Sequence, residues 1–141
     1  MKTNEGILGS AGVTLNDKFY VQHDRCGWPT QNSETTRVDL VGHAWFFKRE
    51  WLRYLWQEKP VTWNNGEDIH FSAACKIYGG IRSFVPKMPI NDMSMWGDLE
   101  LHLGTDEHAT WRKNNHSVLR GDTVKYWVEK GWKPLILEKE R

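Results

Sequence analysis

The chain has little cysteine, no long apolar run and almost no net charge, and each shortage removes a class of protein. Only Cys26 and Cys75 occur among 141 residues. At most one disulfide can form, unlike a small secreted domain stapled by several, and both cysteines read as free thiols. The 19 Lys+Arg against 18 Asp+Glu leave a formal charge of +1. Partners built of phosphate backbone or anionic lipid select a clear basic excess, so nucleic acid is not an expected partner. The longest apolar run, residues 41–47, is interrupted by Gly42 and His43. That is far short of the roughly 20 residues a membrane span needs, so no membrane span is expected. The first residues lack the apolar centre and small-residue cleavage site of a secretory signal, which makes a cytoplasmic location the expectation.

Several catalytic motifs are also missing: Gly-x-Ser-x-Gly, the Walker-type Gly-x-x-x-x-Gly-Lys, His-Glu-x-x-His and Cys-x-x-Cys. Acyl-serine hydrolysis, P-loop chemistry and structural zinc are therefore not expected. Gly6, Gly9 and Gly12 do not form a dinucleotide fingerprint, which needs a preceding strand and a following helix. Arg120-Gly121-Asp122 matches an adhesion tripeptide by letters only.

What remains is ordinary globular composition, 39% hydrophobic and 26% charged, in a length suited to a single domain spanning 1–141. Nine tryptophans stand out. Most are expected in the core, with two or three left to contact a ligand, because indole combines a broad apolar face with one N–H donor.

Residues 6–12 read as a short strand or turn with close backbone approach. Residues 37–47, rich in β-formers and apolar on both parities, read as a strand in the middle of a sheet. A helix is expected over 48–58, stopped by Pro60, and a second over 67–78, closed by Gly79-Gly80. Residues 81–85 read as a strand ended by Pro86, 117–130 as a helix ending at Gly131, and 133–137 as a last strand. Residues 87–110 read as irregular, with Met93, Met95 and Trp96 as anchors.

Three constellations can carry chemistry. Glu67 and Asp68 open a helix, where the dipole favours the ionised form; in a cleft, one of them can act as a general base or stabilise developing positive charge. Asp39 and His43 share a parity on the 37–47 strand, where a mutual hydrogen bond would satisfy both. Asp98, Glu100 and His102 alternate, which suits either a divalent metal or a plain edge strand with its leucines inward. His108 and His116 are further metal-ligand candidates.

The ordered set Val38-Asp-Leu-Val-Gly-His-Ala-Trp-Phe-Phe, a helix, Asn65-Gly-Glu-Asp-Ile-His-Phe-Ser-Ala, Lys76-Ile-Tyr-Gly-Gly and a Val85-Pro strand resembles the C-terminal half of nucleotide-sugar glycosyltransferases of the GT-A fold. The resemblance implies a partial GT-A, Rossmann-like α/β fold of three layers, a mixed sheet flanked by helices, with a core over 6–89 and a C-terminal extension over 90–141. It implies an acceptor-side half of an enzyme that moves a sugar from a nucleotide diphosphate to a hydroxyl, inactive alone. Asp68 would be the catalytic carboxylate and Glu67 its partner; Asp39, His43, Trp45, Trp63 and Trp96 would contact substrate. At most one of His102, His108 and His116 would complete a manganese or magnesium site in the whole enzyme. The Asp-x-Asp motif that holds this metal in the family is absent from the chain. A missing N-terminal half, or a homo-oligomer covering open strand edges, is therefore expected as partner, beside a nucleotide sugar and a carbohydrate acceptor. The alternative is a non-catalytic carbohydrate-binding module with tryptophan platforms. A single-stranded nucleic-acid binder that stacks bases on tryptophan is a third reading, which the neutral charge opposes.

Overall fold

The structure, a computed structural model, describes residues 5–16, 19–88 and 108–138. It is a mixed α/β arrangement in which a curled five-stranded sheet carries helices. The strands are β1 (Gly6–Asn16), β2 (Phe19–Gly27), β3 (Thr36–Val38), β4 (Leu40–Phe46) and β5 (Arg82–Val85); the helices are α1 (Leu52–Leu55), α2 (Glu67–Gly79), α3 (His116–Glu129) and α4 (Leu135–Glu138).

β1 organises the sheet. β4 runs antiparallel along one edge of it, while the other edge is shared by β5, parallel to residues 6–8, and β2, antiparallel to residues 11–16. β3 adds antiparallel to β5. Since β3 and β4 are separated by Asp39 alone, the sheet curls until β4, paired with β1, and β3, reached from β1 through β5, meet through one residue. Gly12 makes that curl sterically possible: a Cβ there would lie 2.6 Å from a Val85 methyl and 2.8 Å from both Val38 methyls. The glycine-containing segment is thus a full 11-residue strand rather than a short one.

The expected 37–47 strand is broken. Asp39 leaves the ladder, and its buried carboxylate accepts from the backbone N–H of Leu15 and of Leu135, both at 2.7 Å. Among the described residues β4 pairs with β1 alone, so it is an edge strand and not central. Leu40 and Val41 are fully buried, whereas His43, Ala44 and Phe46 are exposed.

Ile7, Ala11, Val13 and Leu15 bury one parity of β1, as a half-covered strand requires. α2 is sunk deepest: Asp68 through Cys75 are all buried. Ser72, Ala73, Ala74 and Cys75 are small enough to let it lie between the sheet and α3, and the Ser72 hydroxyl accepts from the Val41 amide at 3.4 Å. Val124, Trp127 and Trp132 close one cluster against Ile69 and Leu40; Phe71 closes the other with Ile7, Val41, Val85 and Trp51. Gly80, at φ +64°, ends α2 in the left-handed stop expected of it, its N–H returning to the Lys76 carbonyl.

Two further expectations are corrected. The 48–58 helix shrinks to a 3-10 turn over Arg49–Trp51 and the single turn α1. Trp51 is the one buried residue of these two turns and no side chain caps their start, too little to offset the cost of helix nucleation. The strand expected over 133–137 is replaced by the helical turn α4 (Leu135–Glu138): Asp39 holds its first amide, and Glu138 pairs with Arg37 at 2.8 Å and Lys76 at 3.3 Å. No helix among the described residues is long and apolar enough to cross a membrane.

Candidate functional site

The turn into α2 sets the geometry. Gly66 stands at φ +85°, and a Cβ on it would meet the Thr123 hydroxyl at 2.8 Å, so position 66 needs a residue without a side chain on both counts. Asn65 shapes the same turn, its side-chain oxygen accepting from the Gly66 amide at 2.7 Å. The chain thereby delivers Glu67 and Asp68 as the first two residues of α2.

Their surroundings differ sharply. Asp68 is buried, and Arg120 from α3 grips it as a fork, Nη1 to Oδ1 at 2.9 Å and Nη2 to Oδ2 at 2.7 Å. The Ile69 amide donates to Oδ1 as well. Arg120 Nη1 also reaches the Asn65 oxygen at 3.2 Å, and Asn65 Nδ2 donates to His116 Nδ1 at 3.0 Å. Asn65 thus fixes Nδ1 of the neutral imidazole as an acceptor and leaves the ring proton on Nε2. Burial, and then the Arg120 charge, hold His116 below the ordinary histidine range. Glu67 is exposed and makes no hydrogen bond or ion pair among the described residues.

This network forms part of an open cleft of about 530 Å³. Its strand side carries Arg25 and Trp28 at the end of β2 and His43 on β4; its helix side carries Glu67, Asp68, His116 and Arg120, with Trp111 alongside. His43 holds φ +59°, an uncommon conformation for a side-chain-bearing residue. Its ring sits edge-on to Trp28 with centroids 4.1 Å apart. Burial, then the charge of Arg25, lower its pKa.

A smaller pocket of about 130 Å³ lies beside the cleft, lined by Trp56, Trp63, Pro60 and Thr62 together with Leu55, Asn65, His70 and Glu67. Trp56 and Trp63 are 70% and 72% exposed. His70 is buried; its Nε2 donates to the Leu55 carbonyl at 3.1 Å, its ring stands edge-on to Trp127, and burial lowers its pKa. Glu67 lines both cavities.

Of the residues picked from sequence, the structure brings Glu67, Asp68, His43 and His116 together in the cleft and puts Trp63 in the neighbouring pocket. Asp39 is elsewhere, committed to two backbone amides, so no Asp39–His43 pair forms. Trp45 stacks on Phe71 at 6.0 Å and lines neither cavity. Trp96, His102, Asp98, Glu100, Met93 and Met95 lie outside the described residues, and His108 is exposed away from both cavities. Among the described residues no group of three or more His, Cys, Asp and Glu side chains is placed to hold a metal. His116 Nδ1 is engaged by Asn65.

Three of the eight described tryptophans are mostly exposed, in keeping with the two or three expected outside the core. Trp51, Trp127 and Trp132 are buried, Trp28 and Trp45 are half-buried, and Trp56, Trp63 and Trp111 are mostly exposed. Sequence reasoning missed Arg25, Trp28, Trp56, Trp111 and Arg120. Arg120 alone left a readable signal: it shares a helical stripe with Thr123, Val124 and Trp127, and a cation on a buried stripe requires an acidic partner.

A scan against protein-family models, a search of curated proteins and a search of solved structures each return no match. The functional reading therefore rests on the residues themselves.

Proposed function

We propose that the chain is the acceptor-side half of a glycosyltransferase that moves a sugar from a nucleotide diphosphate donor to a hydroxyl acceptor. The observation that carries this reading is the position of Glu67, an exposed carboxylate lining both a polar cleft and an aromatic-walled pocket. The sequence resemblance around Gly66-Glu67-Asp68 supports it. In this reading an acceptor sugar lies in the smaller pocket, its C–H faces against Trp56 and Trp63. Glu67 takes the proton of the attacking hydroxyl as the anomeric C–O bond to the diphosphate breaks and the new glycosidic bond forms. Asp68, already neutralised by Arg120, positions the start of α2, so the two acids divide the roles that the resemblance assigns chiefly to Asp68.

The exposed side chains of Trp56 and Trp63 also favour a second reading, a carbohydrate-binding module without turnover. Thermal unfolding in the presence of oligosaccharides, and of UDP, GDP and CMP with and without manganese, separates the two; ligand at 100 times its dissociation constant stabilises by about 2.7 kcal/mol. The transfer reading expects an oligosaccharide shift that Trp63→Ala abolishes and Glu67→Gln weakens. A shift that Glu67→Gln leaves untouched supports the binding module. The absence of any shift with oligosaccharide overturns both.

A further inference from the structure

We infer that Arg25, beside His43 and Trp28, reads an anionic group, a phosphate or a carboxylate, on the ligand that fills the large cleft. The inference deepens the reading above and rests on it only in taking the cleft as the ligand site. Among the described residues two guanidinium groups line the cleft. That of Arg120 is committed to Asp68 through both oxygens. Arg25 is exposed and makes no hydrogen bond or ion pair among the described residues. Across the cleft the unpaired charge has the opposite sign, on Glu67. The cleft is therefore polarised, with an uncommitted cation on its strand side and an uncommitted carboxylate on its helix side.

A wholly neutral ligand would strip water from the Arg25 guanidinium and return nothing in charge, a net cost. A phosphate or carboxylate offers the planar pair of acceptors that a guanidinium fork matches. The neutral form of His43, favoured by burial and by Arg25 itself, places a ring N–H donor next to the same corner without adding a second full charge that would need its own partner.

The test titrates the full chain with inorganic pyrophosphate, with glucuronate and with glucose, reading affinity by calorimetry. The expected result is that at least one anion binds about tenfold or more tightly than glucose, and that Arg25→Gln removes this advantage. Because Arg25 is exposed, its variant should unfold within about 2 °C of the parent. Preference for pyrophosphate assigns the group as phosphate; preference for glucuronate assigns it as a sugar carboxylate. Equal binding of glucose and both anions, or anion binding unchanged in Arg25→Gln, overturns the inference. Arg25-dependent anion binding together with no oligosaccharide response would keep this inference and remove the transfer reading, so the two fail separately.

Discussion

α2 and α3 are joined twice through a carboxylate, once near their starts and once near their ends. At the starts, Asp68 of α2 is forked by Arg120 of α3. Toward the ends, Glu58 accepts from the Tyr78 hydroxyl at the close of α2, the Tyr126 hydroxyl of α3, and Lys130 just beyond it at 2.7 Å. Both junctions satisfy their acid with several donors, which is what a carboxylate withdrawn from water requires. They differ in what stands beside them. Next to Asp68 is Glu67, exposed and open to two cavities; among the described residues no second acid hydrogen-bonds within the Glu58 cluster. The same stitching thus serves two ends, and only one of them has beside it a carboxylate without a hydrogen bond or ion pair among the described residues.

The comparison can be broken most forcefully at Arg120. Arg120→Met would leave Asp68 buried and unpaired, an expected loss of about 3–5 kcal/mol in urea unfolding. A loss below about 1 kcal/mol would show that Asp68 finds other donors and that the junction is not structural.

Glu58→Gln should have a smaller effect, roughly 1–2 kcal/mol, since the amide keeps its shape and one acceptor. Its pH signature is sharper. Burial opposes the charged form of Glu58, but Lys130, Tyr126 and Tyr78 outweigh it and hold the pKa at about 2 against an ordinary 4.5. A depressed folded-state pKa adds stability above the unfolded value that disappears as pH falls through the folded one. Unfolding followed from about pH 5 down to about 2 should therefore show a decline that Glu58→Gln flattens. An identical decline in the variant would assign it to other carboxylates.

Glu67→Gln should move stability least, within about 0.5 kcal/mol, while weakening the oligosaccharide response. A large loss of stability would place Glu67 with the structural acids and dissolve the contrast between the two ends.

The legible parts of the molecule are those set by local chemistry. Helices at α2 and α3, the Gly80 stop and the β5 strand before Pro86 follow from periodicity and glycine or proline punctuation. The acids at the start of α2 were visible for the same reason. Features set by distant residues were not. The break at Asp39 depends on amides 24 and 96 positions away, and the fork on Asp68 comes from 52 positions away. Apolar content on both parities suggested a central strand at 37–47, yet it reflects a β4 that is buried at one end and exposed at the other. Least legible was which individual tryptophans lie inside, because the type of residue carries no record of which of its faces will be covered.

The Asp39 carboxylate has a consequence for how the chain comes to be made. Ribosomes release residue 39 long before residue 135, so the Leu15 amide is available to this acid well before the Leu135 amide is. The second of its two ties, at the residue where the sheet turns, forms only when α4 emerges. A nascent chain halted before α4 should therefore carry an unlatched sheet, open to chaperones, and vectorial synthesis would finish this fold at the place where the sheet turns.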